Sequence, residues 1–223
     1  MPKILKICED DYENIFVISD IHAHGKLFEK LLNKINYTRK DLIIILGDSC
    51  DRGEEIRKTY ELLFDLKNKV NLIHLKGNHE EMLYDYFVYD KIFPYAYECN
   101  GGPKSIEFFR NNEELLEEIL DYIEEMPDIV ESENNIFVHA GLNLNLPLEE
   151  QSEDYIRWAR SDFYLGNNLK KKTIIFGHTI QPNGEIRHYK HYNVIGIDCG
   201  TYRYNRIGCY EVKSKKIFYV KDE

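Results

Sequence analysis

From Ile15 to Leu75 the chain alternates short, nearly uninterrupted apolar runs with amphipathic stretches, and nothing else in its 223 residues restricts the fold as much. Ile15 to Ile18, Leu42 to Leu46 and Val70 to Leu75 have the length and composition of buried strands. Between them, a helix from about Lys26 to Lys34 carries Leu27, Leu31 and Leu32 on one face with Ile35 just beyond, and a second from Glu54 to Leu66 carries Ile56, Tyr60, Leu63 and Phe64. Strands without polar alternation need cover on both faces. The order strand, helix, strand, helix, strand therefore predicts an α/β fold.

A mostly helical stretch is expected from Glu80 to about Met126, broken at Pro94 and at Asn100-Gly101-Gly102-Pro103. Strands then return at Ile136 to Val138, Thr173 to Phe176, Val194 to Ile197, Ile207 to Val212 and Ile217 to Val220. With no repeat, low-complexity tract or long polar linker, the chain reads as a single domain over residues 1–223 with a helical insertion at about 80–126. The formal charge of −10 argues against a nucleic-acid partner, since binders of that backbone set Lys and Arg against phosphates. That charge is local: ten acids and no Lys or Arg fall between Asn111 and Asn135, and the remainder holds 29 of each sign. Within this segment Leu115, Leu116, Ile119, Leu120, Ile123 and Met126 share a helical face, which should turn the acids to solvent. No apolar run suits a signal peptide or a membrane span, so a cytoplasmic protein without a membrane partner is expected. Cys8, Cys50, Cys99, Cys199 and Cys209, odd in number and never spaced Cys-x-x-Cys, read as reduced core thiols.

Five segments fall where strands end: Asp20-Ile21-His22, Gly47-Asp48-Ser49-Cys50-Asp51-Arg52-Gly53, Gly77-Asn78-His79-Glu80, His139-Ala140-Gly141 and Gly177-His178. Loops at the carboxyl ends of strands converge in such sheets, so these five should meet. Singly, Asp20 and Asp48 could be helix caps, and His139 and His178 hydrogen-bonded strand-end histidines. Together they offer carboxylate, imidazole and amide oxygen without a thiolate, a set suited to hard or borderline divalent ions. So many donors call for two ions.

In order, Asp-x-His, Gly-Asp-x-x-Asp-Arg-Gly, Gly-Asn-His-Glu, His-Ala-Gly and Gly-His-Thr resemble the calcineurin-like metallophosphoesterases. Asp-Arg-Gly and Gly-Asn-His-Glu resemble more narrowly the phosphoprotein phosphatases, particularly their compact bacterial and phage members. Asn100-Gly101-Gly102 and Trp158-Ala159-Arg160-Ser161-Asp162-Phe163 are similar to two softer elements of the bacterial members. The resemblance implies a four-layer α-β-β-α sandwich with a helical insertion. It implies Asp20 and His22 on a first ion, Asp48 bridging, and Asn78, His139 and His178 on a second, with Mn²⁺ expected and Fe or Zn²⁺ as alternatives. It also implies a solvent hydroxide between the ions as nucleophile, and Arg52 and Arg160 as a phosphate clamp with Asn100 as a further substrate contact. His79 would be the general acid, oriented by Asp51. Arg157 competes with Arg160 for the clamp, because three residues apart they could share a helix face.

The substrates implied are phosphoserine or phosphothreonine in proteins, or small phosphoesters such as dinucleoside polyphosphates. A metal-stabilised scaffold without turnover fits least, because the ligands, His79 and both arginines are present. The family usually has glycine after the first histidine, whereas here the run is His22-Ala23-His24-Gly25. Ala23 should then narrow the approach to the first ion, and His24 is left out of the ligands. Tyr189, Tyr192, Tyr202 and Tyr204 read as packing, and Lys170-Lys171-Lys172 as a solvated loop.

Overall fold

The computed structural model describes residues 1–89, 94–164 and 171–222; Lys170 of the lysine loop and residues 90–93 of the helical stretch lie outside them. Strands β1 (Ile4–Lys6), β2 (Ile15–Ile18), β3 (Leu42–Ile45) and β4 (Asn71–His74) come first. After a helical stretch follow β5 (Ile129–Glu131), β6 (Asn135–Val138), β7 (Thr173–Phe176), β8 (Arg187–Tyr189), β9 (Val194–Gly196), β10 (Arg206–Glu211) and β11 (Ile217–Lys221). They form two mixed sheets, ordered β1-β5-β6-β7-β9-β8 and β11-β10-β2-β3-β4. Each sheet contains a parallel trio, β2-β3-β4 in one and β6-β7-β9 in the other.

Helices α1 (Gly25–Ile35) and α2 (Ile56–Lys67) are the crossovers of the first trio. Period-two alternation explains why β2 and β3 are apolar throughout. Ile15, Val17, Leu42 and Ile44 point between the sheets to meet Phe137, Ile175 and Ile195. Phe16, Ile18, Ile43 and Ile45 point the other way, into the cluster that holds Leu27 and Leu31 of α1 and Tyr60 and Leu63 of α2. Between β4 and β5 lie α3 (Asn78–Tyr84), α4 (Pro94–Cys99), α5 (Pro103–Arg110) and α6 (Glu113–Glu125). On the far face of the other sheet, Ile136, Val138, Ile174 and Phe176 pack with Ile156 of α7 (Glu153–Trp158) and Phe163 of α8 (Ser161–Tyr164). The layers thus run helix, sheet, sheet, helix, as expected, with a thin fourth layer.

Ile119, Ile123 and Met126 are buried while the acids of α6 are exposed, as the periodicity requires. Asp128 departs from that expectation. It is buried and paired with Arg157 at 2.5 Å, and Arg157 also pairs with Glu81, so the network ties α7 to α3 and to the start of β5. Removing one member of a buried ion pair strands its partners, at about 3 kcal/mol or more. Arg157→Met is accordingly expected to lower the unfolding free energy by about 3 kcal/mol in urea titrations at unchanged slope; a loss under about 1 kcal/mol would show that solvent compensates the acids. The thiols also divide: Cys50, Cys199 and Cys209 are buried, but Cys8 and Cys99 are exposed, outside the core.

Candidate active site

Every expected site segment leaves the carboxyl end of a strand in one of the two parallel trios. Asp20 and His22 follow β2, Asp48 to Arg52 follow β3, Asn78 and His79 open α3 after β4, and His139 and His178 follow β6 and β7. His22, Asp48, Arg52, Asn78, His79, Asn100, Arg160 and His178 line one cavity of about 170 Å³. A larger cleft of about 570 Å³ beside Arg57 and Glu114 holds none of these buried donors. The loops turn sharply to bring the segments together: Asp20, His22, Ala23, Asp48, Asp51, Arg52 and His178 all have φ between +45° and +66°. Each such L-residue costs about 1 kcal/mol, and the other described non-glycine cases are four asparagines and Lys215. Backbone strain is therefore concentrated at the cavity.

Two donor clusters share Asp48, one with His22 and His79 and the other with His139 and His178. Nδ1–H of His139 donates to the Leu46 carbonyl at 2.7 Å and Nδ1–H of His22 to the Cys50 carbonyl at 3.1 Å. A carbonyl only accepts, so each ring keeps its proton on Nδ1 and turns the Nε2 lone pair inward. His139 Nε2 then lies 2.9 Å from Asn78 Oδ1, 3.2 Å from His178 Nδ1 and 3.4 Å from Asp48 Oδ1. Burial lowers the pKa values of His22 and His139 and holds that of His178 at about 2, so these rings are neutral bases. Burial alone would raise Asp48, but the attraction of positive charge on the imidazoles around it, of which His79 is the one pushed toward its charged form, holds its carboxyl below the usual range. Electron pairs converge here with few protons to separate them, which fits divalent cations.

Asp20 is buried alongside but belongs to neither cluster. Its carboxylate takes hydrogen bonds from the Ser19 hydroxyl and, at 3.0 Å, from His178 N–H; burial, then Asp198 and Asp48, push its pKa well up. Glu80, which nothing in the sequence marked as more than part of a motif, binds the backbone N–H of Asp48 and Ser49 at 2.7 Å each and so fixes the shared carboxylate's loop. Asp198, after β9, was missed altogether. It lines the cavity, and burial pushes its pKa to about 7. The signal was its place after the third strand of a parallel trio.

His79 Nδ1–H donates to Asp51 Oδ2 at 2.7 Å, and its Nε2 accepts from Arg52 at 3.3 Å. Burial would lower the His79 pKa, but the Asp48 charge and the Asp51 hydrogen bond outweigh it and raise it. Arg160 reaches the cavity, donating to the His178 carbonyl at 3.0 Å, whereas Arg157 is committed to its buried acids. The two do not share a helix face, because α7 ends at Trp158 and Ala159 is extended (ψ 148°). The ring of Tyr202, on α9 (Thr201–Tyr204) rather than a strand, lies under the Arg52 guanidinium at 4.3 Å, so it belongs to the cavity wall as well as to packing. Ala23 is fully buried within the helix-side core, and so does not narrow the cavity as expected. His24 Nδ1–H donates to the His22 carbonyl at 2.6 Å and stays outside both clusters.

The family model described as calcineurin-like phosphoesterase matches residues 13–207. Serine/threonine-protein phosphatase 2 of Escherichia coli (strain K12) is 28% identical over 229 residues, covering 93% of this chain and 97% of that protein. Its namesake in Salmonella typhimurium is 30% identical over 224 residues, covering 93% and 96%. A symmetrical bis(5'-nucleosyl)-tetraphosphatase of Buchnera aphidicola is 37% identical over only 68 residues, 30% of this chain and 24% of that one. A solved structure provisionally described as a diadenosine tetraphosphatase superposes with a TM-score of 0.74 over 99% of this chain and 98% of its own, at 18% identity, a likeness of fold. Motif order, two-sheet architecture and sequence similarity agree, and the chain belongs to the calcineurin-like phosphoesterases, a family of hydrolases.

Proposed function

We propose that the protein is a phosphomonoesterase acting on phosphoserine or phosphothreonine in proteins, with two divalent ions, most suitably Mn²⁺. The observation that carries this reading is the shared cavity: two donor clusters joined at Asp48, with Arg52, Arg160 and His79 on its wall. Asp20, His22 and Asp48 would hold one ion, and Asp48, Asn78, His139 and His178 the other. When bound, the ions supply Lewis acidity that makes a solvent nucleophile available near neutral pH and offsets charge on the phosphoryl oxygens. Arg52 and Arg160 bind those oxygens as planar forks, and Asn100 contacts the same group. As Arg52 turns to the phosphate it frees the lone pair of His79 Nε2, which takes a proton from solvent, favoured by the Asp48 and Asp51 charges, and passes that proton to the leaving alkoxide. Asp51 keeps the opposite nitrogen protonated and the ring aimed.

Similarity to the two bacterial protein phosphatases over nearly the whole chain supports protein substrates. The tetraphosphatase likeness is confined to under a third of it. A phosphoserine peptide, para-nitrophenyl phosphate and diadenosine tetraphosphate, compared at matched concentrations with Mn²⁺, test the choice. Turnover of the first two is expected; cleavage of the tetraphosphate alone would overturn the protein-phosphatase reading in favour of the nucleotide one.

A further inference from the structure

Besides setting Asn100 on the cavity wall, the helical insertion reaches Asp51 behind that wall through a buried side chain. The Tyr97 hydroxyl, on α4, donates to Asp51 Oδ1 at 2.8 Å, while Asp51 Oδ2 accepts from His79 at 2.7 Å. Tyr97 and Asp51 are both fully buried, so no water stands ready to replace either donor. Asp51 sits on left-handed backbone (φ 64°), and these two bonds hold one oxygen of its carboxylate each, with the Cys50 thiol as a further donor beside it. Two glycines allow the approach. A Cβ on Gly102 would lie 2.7 Å from the Tyr97 ring, and one on Gly101 2.8 Å from Arg52 Cγ, while Arg52 N–H donates to the Gly101 carbonyl at 3.3 Å. The Asn100 N–H meanwhile bonds the Tyr97 carbonyl at 3.0 Å. Tyr97, Asn100 and the two glycines therefore form one turn fitted against Asp51 and Arg52.

Building on the reading of His79 as the acid, we propose that Tyr97 is a positioning residue that fixes the Asp51 carboxylate and, through it, the imidazole of His79. The insertion then completes the proton-donating apparatus from outside the two sheets. Removing the hydroxyl takes a strong donor from Asp51 Oδ1, leaving the weakly donating Cys50 thiol beside the carboxylate, which can then rotate away from His79 Nδ1.

Tyr97→Phe keeps the ring against Gly102 and removes only the hydroxyl. On a phosphoserine peptide its kcat should fall about tenfold with little change in KM; on para-nitrophenyl phosphate, whose leaving group needs little protonation, the fall should stay under about twofold. In a His79→Asn background the substitution should cost nothing further, because its effect passes through His79. Equal losses on both esters, the same loss repeated in that background, or no loss would overturn the proposal. Imidazole ¹⁵N spectra of the metal-free protein give an independent reading: the wild type should show His79 as one Nδ1–H tautomer, and Tyr97→Phe a mixture. Unchanged spectra would overturn the positioning role. If the wild type hydrolyses neither ester, the phosphatase reading fails, and the spectra still decide the role of Tyr97. Should the variant not fold, fluorotyrosine at position 97 alters the same donor in an intact ring, and the same spectra should shift.

Discussion

Asp48→Asn is expected to abolish tight binding of divalent ions and to lower kcat/KM by about three orders of magnitude or more, equivalent to about 4 kcal/mol of transition-state stabilisation. Asp48 alone is common to both donor clusters. Its Oδ2 lies 3.8 Å from His22 Nε2, and its Oδ1 lies 3.4 Å from His139 Nε2, so the neutral amide removes charge from both halves at once. An amide NH₂ would also face one inward lone pair where a carboxylate accepts from a cation. The fold should survive, because the Asn oxygen can still accept the His79 backbone N–H that Asp48 Oδ1 takes at 3.0 Å. Calorimetric titration with Mn²⁺, thermal unfolding without metal and steady-state kinetics separate the effects. Two bound ions together with full activity would end the bridging role.

The part of the site written in local sequence was legible because strand ends place it. Nearly continuous apolar runs locate β2, β3, β4, β6 and β7, and the residues just beyond them supply the two donor clusters. What escaped depends on distant partners. β1 is three mostly exposed residues with no periodicity of their own, and it is a strand only because Ile4 to Lys6 pair in parallel with Ile129 to Glu131. β5 lies in turn between β1 and β6, which no pattern in Ile129-Val130-Glu131 announces. Asp128 looked like one more solvated acid until Arg157, 29 residues away, proved to be its partner. Tyr97 carries no motif, and its link to Asp51 spans 46 residues.

Ala23 shows the limit of transferring a family pattern. Glycine at that position suggests a demand for open space, yet the backbone demand is the left-handed φ of 52°, which Ala meets at a cost while its methyl fills the helix-side core. Burying one methyl group returns about 0.8 kcal/mol, comparable to the strain. The alanine is thus accommodated by packing on the helix side, away from the cavity lining.

His79→Asn is expected to leave ion binding intact and to lower kcat on a phosphoserine peptide by about two to three orders of magnitude, the range of a lost general acid. The reasoning starts from the two ends of the ring. Nδ1 is tied to a buried carboxylate, and Nε2 opens on the cavity beside Arg52. An asparagine cannot deliver a proton to an alkoxide, whose departure unprotonated is strongly disfavoured. A phenolate leaves without that help, so the loss on para-nitrophenyl phosphate should stay within about tenfold. His79 is nonetheless a member of one donor cluster, with Nε2 3.9 Å from Asp48 Oδ2, and this creates a competing outcome. If His79 were chiefly a ligand, its replacement would weaken one ion and slow both esters equally. Metal stoichiometry, measured alongside the two kcat values, therefore decides the assignment. Two retained ions with a loss selective for the alkyl ester support the acid, whereas a missing ion with matched losses makes His79 a ligand instead.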